Sequence, residues 1–130
     1  MPIRSLKPDG MNAPASAVEI TAAETAVGVT FPDDLRAFYL TTDGYNGDIG
    51  ERTVRLHRLA DVVSCTTGYD VAREFGLVLI GDNGGDYGFA LDCASEPPAY
   101  VGLPLAAARR EAFELLGTSF EEFAAALCVA

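Results

Sequence analysis

The chain has 130 residues, 49% of them hydrophobic, enough for one domain that buries roughly two thirds of its unfolded surface. Nineteen acidic residues against nine basic ones leave a formal charge of −10, which opposes binding to nucleic acid or an anionic membrane and favours a basic partner. No run approaches the roughly 18 apolar residues that span a bilayer, and Met1 to Ala15 lacks the apolar stretch of a secretory signal, so a cytoplasmic protein is expected.

Residues 1–16 hold Pro8, Gly10 and Pro14 without periodicity and are expected to form a flexible lead to a domain over 17–130. Ile20, Ala23 and Val27 fall at i, i+3 and i+7, an apolar stripe that predicts a helix over 18–27, stopped by Gly28. A second helix is expected from Pro32, whose missing N–H suits a first turn. Asp33 and Asp34 there face the positive end of the helix dipole. Leu35, Phe38 and Tyr39 share its core face, and Asp43-Gly44 ends it.

Gly44 to Arg52, GYNGDIGER, has three glycines and no apolar period and reads as a loop. Tyr45 stands in it beside Asp43, Asp48 and Glu51, either as an exposed protein contact or folded back on the core. Thr53 to His57 alternates, with Val54 and Leu56 on one face and His57 on the polar one, as in a half-buried strand. Leu59–Val63 and Val71–Phe75 suggest short helices around a Cys-Thr-Thr-Gly turn. The apolar run Leu77–Ile80 predicts a buried strand, and Tyr87, Phe89 and Leu91 share one face of the next.

Between these two strands, Gly81 to Asp86 forms a hairpin connection rich in residues that accept positive φ. Its acids and the strand that follows exclude a phosphate loop. Gly84 and Cys93, at the third and twelfth positions from Asp82, depart from an EF-hand. Asp82 and Asp86 either serve only the turn or offer a negative contact point. Pro97-Pro98 bars helix, Ala99–Gly102 reads as a third neighbouring strand, and 104–116 has helical composition between Pro104 and Gly117. Ser119 with Glu122 forms a capping box for a last helix whose Phe120, Phe123 and Leu127 pack on the sheet.

No enzyme is expected. A single histidine, His57, excludes a two-histidine metal site, and no nucleophile motif accompanies it. Cys65, Cys93 and Cys128 lack CxxC spacing and are expected to be reduced, small hydrophobes. No cofactor and no metal is called for.

Val29–Gly44, VTFPDDLRAFYLTTDG, and Gly81–Asp92, GDNGGDYGFALD, followed by Ser119-Phe120-Glu121-Glu122-Phe123, resemble in order and spacing the SUKH superfamily. That superfamily includes immunity proteins of bacterial polymorphic toxin systems and fungal regulators of cell-wall synthesis. The resemblance runs from about Val18 to the C-terminus. It implies that part of 104–116 is irregular or a short strand, against the helix that composition favours.

The expected fold is α+β: a single domain with a mainly antiparallel sheet, two N-terminal helices and a C-terminal helix. The resemblance implies a non-enzymatic protein that neutralises a cognate toxin, with a regulatory or scaffolding module as the alternative. Charge adds a mechanism, since a nuclease toxin presents a basic cleft that an acidic protein can occupy. The candidate contacts are Asp43, Tyr45, Asp48, Glu51, Asp82 and Asp86. A homodimer is left open.

Overall fold

The structure is a computed structural model that describes residues 10–49, 52–106 and 109–128, with Ile49, Arg52, Val71 and Cys128 described by backbone alone. Two helices open the chain, α1 (Ala17–Val27) and α2 (Asp33–Thr41). A hairpin of β1 (Tyr45–Ile49) and β2 (Arg52–Leu56) follows, then α3 (Leu59–Gly68) and α4 (Asp70–Phe75). Strands β3 (Leu77–Asp82), β4 (Tyr87–Asp92), β5 (Ala99–Pro104) and β6 (Glu114–Gly117) precede α5 (Phe120–Cys128). The strands form one six-stranded sheet in sequence order, every neighbour antiparallel. The fold is therefore α+β, as expected.

Both N-terminal helices sit where the periodicity places them. Ser16 and Glu19 close a capping box on α1, and Gly28 ends it at φ 76°. Upstream, Met11 bridges to Tyr45, the Asn12 N–H donates to Thr42 Oγ1, and the Ala15 N–H donates to the Tyr39 carbonyl. The expected lead thus contributes Gly10 to Ser16 to the packed domain, while residues 1–9 lie outside the described residues.

Three expectations fail, each because a pairing or side-chain contact outside the segment outweighs its local propensity. The segment read as a loop from Gly44 to Arg52 contains β1, which pairs Tyr45 with Leu56 and Gly47 with Val54; pairing across the hairpin overrides the low strand propensity of its glycines. Gly44 allows the entry at φ 87°, where a Cβ would stand 2.7 Å from the Leu56 carbonyl oxygen. The Cys65-Thr66-Thr67-Gly68 turn is instead the end of α3. There the buried Thr66 hydroxyl accepts the Leu79 N–H, a donor of β3 that β2 does not reach.

The third failure is the helix expected over 104–116. Pro104 ends β5, Arg110–Ala112 form a single 3₁₀ turn, and β6 begins at Glu114, so the family resemblance anticipated this segment better than its composition. Arg110 fixes the link: its guanidinium donates to Asp92 Oδ2 at 2.8 Å and to the Phe75 carbonyl at 3.0 Å, and lies over the edge-to-face pair of rings of Phe75 and Phe113.

One sheet face carries the main core. Val54, Leu56, Val78, Ile80, Phe89, Leu91 and Tyr100 meet Ile20, Leu35, Phe38, Phe120 and Phe123 from α1, α2 and α5. The opposite face is covered in part. Over β3, β4 and β5 it holds a second, smaller cluster built on Leu79, Ala90, Val101 and Leu103, with Phe75, Leu105 and Phe113 packed against it. The β1–β2 hairpin on that face stays exposed, as does Leu115 of β6.

Candidate partner-binding surface

Period-two alternation sorts the hairpin. Tyr45, Val54 and Leu56 point into the core, while Asn46, Asp48, Thr53 and Arg55 are exposed on the other side. Tyr45 is thus not the exposed contact considered from the sequence: it is 1% accessible, and its hydroxyl donates to the Asp48 carbonyl at 2.9 Å.

Asp82 is also committed internally. Its carboxylate accepts from Arg55 Nε at 2.9 Å and Nη2 at 3.3 Å, and from the Gly84 N–H at 2.8 Å, while His57 Nε2 stands 3.6 Å away. Burial pushes the Asp82 carboxyl up, but the Arg55 and Gly84 hydrogen bonds and the nearby positive charge outweigh it, leaving the group below its ordinary value. Asp43 belongs to the other end of β1. It accepts the Leu59 N–H at 2.9 Å, capping α3, and faces Arg58 Nε at 3.4 Å.

Asp48 and Asp86 are exposed, at the end of the sheet where the β1–β2 and β3–β4 turns lie. Thr53 donates to Asp48 from the paired strand at 3.4 Å. Glu51 lies outside the described residues. The six candidates therefore do not form one patch: Asp48, Asp82 and Asp86 gather toward one sheet end, Asp43 stands at the other, and Tyr45 is inside.

Between the hairpin and α3 lies a hollow of about 390 Å³, lined among others by Asn46, Arg55, His57, Arg58, Asp61 and Cys65. Sequence reasoning placed none of these together except through the alternation of β2, because Asp61 and Cys65 arrive on α3. Burial, then the Asp61 and Asp82 charges, push the Cys65 thiol up, and burial holds the His57 imidazole down against the pull of Asp82 and Asp61. Both shifts oppose a thiolate–imidazolium pair.

The arginines explain how charge is distributed. Arg36 pairs with Glu24, Arg55 with Asp82, Arg58 with Asp43, Arg73 with Asp70 and Arg110 with Asp92. Asp48, Asp61 and Asp86 have no ion-pair partner among the described residues. The outward field of these surfaces is therefore negative.

The profile of the SMI1/KNR4 family (SUKH-1) matches residues 14–126. The chain belongs to the SMI1/KNR4 family. No match is found among curated proteins. The SUKH-1 match begins at Pro14, just before the Ser16 cap of α1, and ends within α5, so it takes in every strand of the sheet and the lining of the hollow except Asn12. In this SUKH-1 chain no helix among the described residues is long and apolar enough to cross a membrane, and no group of three or more potential metal ligands occurs among them.

The His57–Asp82–Arg55 group gives this SUKH-1 fold a defined pH dependence. The folded His57 has a pKa below its ordinary 6.5, so as pH falls through 6.5 the unfolded chain takes up a proton that the folded chain resists, and stability drops. Asp82, held below its ordinary 3.8, contributes stability above that value that is lost as pH falls through its folded pKa. Urea titrations at pH 7.5 and 5.5 should show lower stability at 5.5. In His57→Gln the difference should shrink; an equal difference in both proteins would assign it elsewhere.

Proposed function

We propose that this SUKH-1 chain is an immunity-type protein that binds and neutralises a cognate toxin with a basic surface, without a catalytic step. Family membership supports a protein-binding role. The observation that carries the anionic mechanism is the pairing of five arginines with carboxylates of the same chain, so that exposed acids outside those pairs, Asp48, Asp61 and Asp86 among them, keep their negative charge toward a partner. A nuclease must bind phosphates through cationic side chains, and an acidic protein laid over them competes with the nucleic acid and is steered toward them at long range. Neither folding nor binding requires a metal or cofactor in this scheme.

The contact surface we assign is the exposed side of β1–β2 with the β3–β4 turn, including Asp48 and Asp86; Glu51, in the β1–β2 connection, is proposed with them. Asp43, Tyr45 and Asp82 support it from within. Co-expression with the toxin domain encoded beside this chain should restore growth. Asp48→Asn with Asp86→Asn should weaken that complex about tenfold, more at low salt than at high, as expected for exposed charge pairs. Unchanged affinity in the double variant would refute this surface. Tight binding to a cellular protein, with no rescue from any neighbouring toxin, would favour the regulatory module instead.

A further inference from the structure

The hollow between β1–β2 and α3 contains unequal charge. Arg55 on its wall is bidentate to Asp82, and Arg58 at its rim faces Asp43, so each arginine already has a carboxylate. His57 is held toward its neutral form. Asp61 remains, exposed in the first turn of α3 and without an ion-pair partner among the described residues. It lines the hollow together with Arg55, His57 and Cys65. The α3 side is less polar, where the half-buried Cys65 lines the hollow, with the buried Tyr45 and Leu56 behind the strands.

We infer that this hollow receives one cationic side chain of the protein partner, an arginine or lysine, whose charged head pairs with Asp61 while its aliphatic stem lies against Cys65. Long cationic side chains combine an apolar stem with a charged tip, and both halves find a counterpart here. An anionic guest meets the opposite situation, because the arginine heads are engaged and the unpaired charge is negative. A volume of about 390 Å³ admits such a side chain with part of its backbone. The inference rests on the proposed basic partner and names the contact that partner makes on α3, apart from the Asp48 and Asp86 surface.

The test is an NMR titration of the full chain with acetyl-Gly-Arg-Gly-amide, with acetyl-Gly-Glu-Gly-amide as the anionic comparison. Saturable shifts confined to the amides of Asn46, Leu56, Asp61 and Cys65 are expected with the arginine peptide, and none with the glutamate peptide. Asp61→Asn should weaken binding about fivefold, the scale of one exposed charge pair. Asn46→Lys, which sets a cation at the exposed rim, should abolish it and serves if the first variant folds poorly. Dispersed shifts, equal binding of the two peptides, or unchanged binding in both variants would overturn the assignment. Because no toxin is present, such a failure is separate from failure of the toxin-binding proposal, which the co-expression experiment decides.

Discussion

Phe123→Ala is expected to destabilise the fold by about 3 to 5 kcal/mol, the range for truncating a fully buried aromatic ring. Phe123 is 0% accessible and stands at the centre of an aromatic group. It stacks on Tyr100 with ring centroids 5.2 Å apart and meets Phe89 and Phe120 edge-on at 5.8 and 5.6 Å. Loss of the ring removes these contacts together and leaves a cavity between α5 and the sheet. The close-packed sheet below and the helix above collapse only in part to fill it. A fall in melting temperature of roughly 10 °C or more is the expected reading. Leu115→Ala, at a side chain 66% accessible on β6, should change stability by no more than about 0.5 kcal/mol. Similar melting temperatures for the two variants would contradict the placement of α5.

Asp34→Ala should cost about 2 to 3 kcal/mol. The Asp34 carboxylate accepts the Tyr100 hydroxyl at 2.9 Å on one oxygen and the Phe120 N–H at 2.6 Å on the other. It thereby ties the start of α2 to β5 and to the first N–H of α5. Removing it orphans two donors in a partly buried junction, one of them at a helix N-terminus where negative charge is favourable. Asp33, its exposed neighbour in the same first turn, touches neither group; Asp33→Ala should cost about 0.5 kcal/mol, the scale of an exposed helix-dipole interaction. Denaturant titrations of the two variants measure the contrast, and equal losses would reduce Asp34 to a helix-dipole role.

These two aspartates also show where the sequence stops being legible. Both carry the same first-turn signal, and helix position cannot distinguish a solvated acid from one that joins elements 66 and 86 residues apart. The same limit applies to the last helix. Ser119 Oγ accepts the Glu122 N–H as the capping box requires, but the Glu122 carboxylate turns to the N–H and hydroxyl of Thr118. Asp34 takes the Phe120 N–H.

The candidate surface was legible to a similar depth. The acids at Asp48 and Asp86 and the polar face of Thr53–His57 follow from composition and alternation. The burial of Tyr45 does not, because its neighbours are glycines and polar residues, and only pairing with Leu56 turns its ring inward. Nor does the internal use of Asp82, whose partner Arg55 lies 27 residues away.

By itself, the sequence determined the α1, α2 and α5 helices, the β3–β4 hairpin, the SUKH resemblance and the excess of negative charge. Each is a property of local periodicity, capping, turn chemistry or composition, which a short window contains. Only the tertiary structure decided that the glycine-rich segment after α2 is a strand, that 104–116 is a link pinned by Arg110, and which carboxylates remain for a partner. Those outcomes depend on hydrogen bonds and ion pairs with other segments, the adjacent strand for β1 and distant ones for the rest, whose energies outweigh the local propensities that a linear reading can weigh.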